Sequence, residues 1–141
     1  MPTVFTRIIE GQLPARFVWS DERCVAFLSA NPMRTGHTLV VPREEVDHWI
    51  DLDPGLLHHL SGVAQQVGAA LQRAYDPGRI GLMIAGQEVP HVHLHVVPMD
   101  DLGDLDFAKA DPDPDEAAMD EAADAVRSAL RSRGASAVPA D

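Results

Sequence analysis

The sequence has one cysteine, Cys24, in 141 residues, which excludes an internal disulfide framework and a cysteine-based zinc cluster. No apolar run comes near the ~20 residues that a membrane-spanning helix needs. Basic residues are scarce: 11 Lys+Arg against 22 Asp+Glu leave a net charge of −11. That balance argues against nonspecific attachment to nucleic acid or anionic membranes, both of which rest on clustered positive charge. A signal peptide's basic start and apolar stretch are lacking too, because Arg7, Glu10, Gly11 and Pro14 interrupt the beginning of the chain. The expectation is a cytoplasmic protein with neither nucleic acid nor membrane as partner. What is plentiful is apolar side chain, 45% of residues, in a length that suits one domain with its own core.

Apolar residues at Val4, Phe5, Ile8 and Ile9 fit a short amphipathic helix that Gly11 and Pro14 stop. Strand-like runs follow at 15–19, 24–28 and 37–41, the first two joined by the turn Ser20-Asp21-Glu22. Asp53-Pro54 is a helix start, with Asp as N-cap and Pro in the first turn. An apolar stripe from Leu56 to Ala74 continues it until Asp76-Pro77-Gly78. Two further strands are expected at 80–85 and 89–97. Residues 100–115 are rich in aspartate and read as an acidic surface loop. Asp113-Pro114-Asp115-Glu116 then predicts an N-cap at Asp113, a capping-box Glu and a helix over 114–132. Residues 1–100 are thus expected to form the domain proper, with the acidic loop and C-terminal helix of 101–141 packed on it.

The segment His91-Val92-His93-Leu94-His95-Val96 carries the chemistry. Side chains of a strand alternate between faces, so the three imidazoles share one face and the aliphatic residues the other. The aliphatic face can pack on the long helix. Three imidazoles in a row need hydrogen-bond partners or a ligand. One ligand is an anion such as phosphate, with one neutral ring as nucleophile and another supplying charge and a proton. Gly86 allows close approach of the main chain to a phosphate, and amides near Gln87–Val89 can bind its oxygens. The other ligand is zinc, since His-x-His also builds metal sites and His37 or a carboxylate could complete one. His48, His58 and His59 read as solvated residues on or near exposed helix sides.

His91-Val-His93-Leu-His95-Val-Val97 resembles the signature of the histidine-triad family, and Ala85-Gly86-Gln87-Glu88-Val89-Pro90 resembles its flank. Three upstream stretches are similar as well: Val4 to Ala15, Val25 to Leu28, and Gly36-His37-Thr38-Leu39-Val40-Val41-Pro42. The resemblance implies an α+β fold: a five-stranded antiparallel sheet with a long helix and a C-terminal helix, sheets joined across a homodimer. It implies a nucleotide hydrolase or nucleotidyl transferase of the phosphoramidase or dinucleoside polyphosphate hydrolase type. In that chemistry His93 attacks the α-phosphorus, His95 sits by the phosphate oxygens and leaving group, and His91 and His37 orient the nucleophile. Phe5, Ile8 and Phe27 match positions that pack the base. Ser29 stands where many members carry an Asp that holds the ribose, and Gln87 and Val89 fall at phosphate contacts. No cofactor or metal is required. Thr3 and Thr6 occupy the places of two cysteines that hold zinc in some bacterial members, so that zinc is not expected. The competing readings are a nucleotide-binding regulator with little turnover and a zinc-dependent hydrolase using the His-x-His-x-His run.

Overall fold

The computed structural model describes residues 2–140. A five-stranded, wholly antiparallel sheet runs in the order β1-β2-β3-β5-β4. Its strands are β1 (Phe17–Ser20), β2 (Cys24–Leu28), β3 (Thr38–Pro42), β4 (Arg79–Met83) and β5 (Leu94–Met99). Three helices accompany it: α1 (Val4–Ile9), α2 (Pro54–Tyr75) and α3 (Glu116–Ser132). No helix among the described residues is long and apolar enough to cross a membrane.

Strand alternation divides the interior into two cores. Val18, Cys24, Ala26, Leu28, Val40, Leu94 and Val96 face α2 and α3, whose stripes (Leu60, Val67, Leu71; Val126, Leu130) complete the larger one. Val25, Phe27, Leu39 and Val41 face the other way and are covered by Phe5 and Ile8 of α1. Val92 lies in the larger core with Leu94 and Val96, so the aliphatic side of the histidine run packs on the helices. The acidic loop contains two short 3₁₀ turns, at Leu102–Asp104 and Phe107–Lys109.

Several boundaries differ from the sequence expectation. The strand expected over 89–97 begins at Leu94, because Pro90 has no amide to donate and the next two amides are engaged elsewhere. His91 N–H donates to the Val89 carbonyl and Val92 N–H to that of Val46. The strand expected over 80–85 ends at Met83, and β1 begins at Phe17 rather than residue 15. The last helix is capped by Asp115, whose carboxylate accepts from Ala118 N–H, and not by Asp113. Glu116 serves no capping box there, since it stands at the first helical position rather than the third, and its carboxylate pairs with Arg16 at 2.6 Å.

Candidate active site

The site occupies the sheet face that α2 and α3 leave free. His95 belongs to β5 and pairs in register with Leu39 of β3. His91 and His93 precede the strand, yet all three rings are buried. The alternation reaches back through Val92, so His93 and His95 are neighbours, with ring centroids 4.8 Å apart. Phe5 of α1 stands edge-on to His93 at 4.9 Å and to His91 at 5.8 Å. His37 follows Gly36, which has φ +91° and where a Cβ would meet Tyr75 at 2.8 Å. That position suits only glycine.

Partners of fixed polarity settle where each ring carries its proton. Met33 N–H donates to His37 Nδ1 at 3.1 Å. His37 therefore carries its hydrogen on Nε2 and donates it to His95 Nδ1 at 2.9 Å. His95 in turn carries its hydrogen on Nε2, a buried atom with no hydrogen-bond partner among the described residues. His93 Nδ1–H donates to the His91 carbonyl at 2.8 Å, which leaves a lone pair on Nε2. His91 Nε2–H donates to the Pro42 carbonyl at 2.8 Å, and its Nδ1 accepts from the Thr3 hydroxyl at 2.7 Å.

Burial, reinforced by the neighbouring His93, pushes His37 down to about 4 and His95 down to about 3. His91 is also lowered by burial, against the opposing pull of the Pro42 carbonyl and Glu45. The three rings are thus neutral at pH 7, as the row of hydrogen bonds requires.

His93 and His95 open into a cavity of about 610 Å³, walled by Phe5, Ile8, Phe27 and Leu39, with Ser29, Val89 and His37 also lining it. That volume is in the ~300–1,000 Å³ range of small-molecule sites. Of the residues singled out from sequence, His91 lies behind the cavity rather than in its wall, and Gln87 has an exposed side chain outside it. Four contributors were given no role in the site from the sequence. Glu88 brings a carboxylate oxygen to 3.8 Å from His93 Nε2 and 3.7 Å from His95 Nε2. Phe107, the one aromatic of the acidic loop, stands edge-on to His95 at 5.4 Å. Thr3 and the Met33 amide fix ring polarity. Glu88 and Phe107 left a signal, a charge beside the glycine turn and an aromatic among aspartates; the other two left none.

The acidic loop is not merely solvated. Arg34 pairs with Asp100 at 3.0 Å and with Asp104, while Asp111 N–H donates to the Pro32 carbonyl. His59 also departs from expectation: half-buried, it meets the Asp21 carboxylate at 2.8 Å, alongside the Trp19 indole. Asp21, Cys24 and His59 form a structural knot on the opposite side of the sheet, whose thiol is pushed up to about 12 by burial.

Glu88, His93 and His95 place three possible ligand atoms within 4.8 Å of one another. The hydrogen-bond row does not fit a zinc ion there. His95 Nε2 is a donor, both His91 nitrogens are engaged, and only His93 and Glu88 retain free lone pairs. Zinc needs at least three protein ligands.

A HIT domain family model matches residues 10–102. The chain belongs to the HIT domain family. An uncharacterized HIT-like protein of Methanocaldococcus jannaschii is 38% identical over 99 residues, 67% of this chain and 77% of that one. Among HIT structures, a zinc-bound histidine triad family protein of Mycobacterium smegmatis superposes with a TM-score of 0.80 at 29% identity. The match covers 93% of this chain and 94% of that one. A hypothetical histidine triad nucleotide-binding protein of Sulfolobus tokodaii shares the HIT fold at 24% identity, with a TM-score of 0.80 and 91% of each chain covered. The α+β, five-stranded antiparallel arrangement read from the sequence is the fold of this family.

Proposed function

We propose that this HIT protein hydrolyses or transfers nucleotides at the α-phosphate through a nucleotide transiently bonded to His93. One observation carries the reading: two adjacent buried ring nitrogens of opposite polarity, a lone pair on His93 and an unpartnered N–H on His95, open into one cavity. A phosphoryl group needs both at once, a nucleophile for phosphorus and a donor for its oxygens. His93 Nε2 attacks phosphorus, and its ring charge is held by the Nδ1–H bond to the His91 carbonyl. His95 Nε2–H donates to a phosphate oxygen, and the departing atom takes a proton from solvent as its bond to phosphorus breaks. His37 and His91 hold the two working rings in orientation. Phe5, Ile8 and Phe27 take the base, the Ser29 hydroxyl lies at the ribose end, and the Val89 amide faces the phosphate. Gln87 is expected to turn in when nucleotide is present. A nucleoside 5′-phosphoramidate or dinucleoside polyphosphate is the substrate class, with a nucleoside monophosphate as product in hydrolysis.

Incubation with adenosine 5′-phosphoramidate tests the reading. The expected result is AMP release by the wild-type protein and none by His93→Ala, with nucleotide still bound. Tight binding without release by the wild type would favour a regulator, and turnover by His93→Ala would remove the nucleophile.

The active form is a homodimer in the cytoplasm on this reading. β4 is an edge strand whose Leu82 is 56% exposed, beside a groove between α2 and β4 that Gly68, Ile80 and Val96 help to line. Such an edge offers unpaired backbone groups to a second copy.

A further inference from the structure

We infer that Glu88 is the general base of the second half-reaction, taking a proton from the water that releases the nucleotide from His93. The inference rests on the nucleotidyl-His93 reading and supplies the proton acceptor that reading lacks. Once His93 Nε2 is bonded to phosphorus, its remaining N–H is held by the His91 carbonyl. His95 accepts from His37 at Nδ1 and donates from Nε2, so its lone pair is spent. His37 is engaged at both nitrogens by Met33 and His95. Arg16, the other charged residue of the cavity wall, is a cation paired with Glu116 at 2.6 Å and Asp120 at 2.9 Å.

Glu88 remains. Its carboxylate faces His93 and His95 Nε2 at 3.8 and 3.7 Å, beyond hydrogen-bond length from both. The side chain is half exposed, so a proton taken inside can be returned to solvent. It follows Gly86, which has φ +78° and open space around it, in the irregular stretch ahead of β5.

In the step itself, the water oxygen forms a bond to phosphorus while a Glu88 oxygen takes one of its protons. The phosphorus–Nε2 bond breaks, and its electron pair returns to His93 as the lone pair of the resting ring. The nucleoside monophosphate leaves, and Glu88 passes the proton to solvent. Nothing is oxidised or reduced.

Rapid mixing with an adenosine phosphoramidate of a fluorescent arylamine separates the two halves. Glu88→Gln should release a stoichiometric burst of amine and then turn over about 100-fold more slowly than the wild type. The adenylylated protein should accumulate on intact mass, and formate should restore turnover to Glu88→Ala. Amine and AMP leaving together from Glu88→Gln near the wild-type rate would overturn the inference. So would slow turnover without burst or adduct, since that places Glu88 in the first half-reaction. A wild-type protein that makes no AMP overturns the underlying reading, and this inference with it.

Discussion

Burial disfavours charge on His37, His91 and His95, and the neighbouring His93 adds to that cost. His37, His91 and His95 are accordingly lowered, and the sign of the pH effect follows. Their ordinary value is near 6.5. As pH falls through it, the unfolded chain takes up protons that the folded one refuses. The stability they confer is therefore complete above about pH 6.5 and is lost progressively toward pH 3–4. Each ring contributes at most about 1.4 kcal/mol per pH unit within that window. Urea midpoints should fall between pH 7 and pH 5, above the range where Asp21 and Glu45 protonate; a flat profile over those two units would contradict the neutral row. Residue identity and facing were legible, because alternation put Val92, Leu94 and Val96 on the helix side. Proton placement was not. It depends on the Met33 amide and the Pro42 carbonyl, main-chain groups from another part of the chain that no side-chain pattern reports.

At the scale of elements, α1 has six residues, too few to stand alone as a helix. It is held by burial of Phe5 and Ile8 and by its cap. The Thr3 hydroxyl accepts from Thr6 N–H and donates to His91 Nδ1, while Glu45 takes the Thr3 amide and the Thr6 hydroxyl. Glu45 is held below the usual carboxylate range by those donors. Thr3→Val keeps the shape but removes the cap and leaves His91 Nδ1 unmatched. It should cost about 1–2 kcal/mol in urea unfolding, with Thr3→Ser restoring most of it; equal stability of the valine variant would show that the cap is idle. The contrast between helix starts is instructive. Asp53-Pro54 caps α2 as its sequence suggests: the Asp53 carboxylate accepts from Leu56 N–H at 3.2 Å, with Arg23 only at 4.0 Å from it. Asp113-Pro114 carries the same signature and does not cap α3: Asp113 N–H donates to the Asp111 carboxylate, and Asp115 accepts from Ala118 N–H as the cap. Where two aspartates lie close together, the local signal marks the helix start only to within a couple of residues.

For the molecule as a whole, the proposed homodimer is assigned to the edge of β4, where Leu82 is exposed. Leu82→Lys should weaken self-association, shifting sedimentation toward the monomer, since a charge on an edge strand opposes pairing. An unchanged sedimentation profile would place the contact elsewhere. The net charge of −11 is also organised. Arg34 gathers Asp100 and Asp104, and Asn31 and Pro32 are bonded to Asp111. The aspartate-rich segment is thereby fastened to the loop carrying Met33, whose amide begins the row Met33–His37–His95. A protease nick between residues 105 and 111 would cut none of the site's imidazoles, yet it would slacken the anchor that tells the last ring which way to point. Damage at the rim would register at phosphorus.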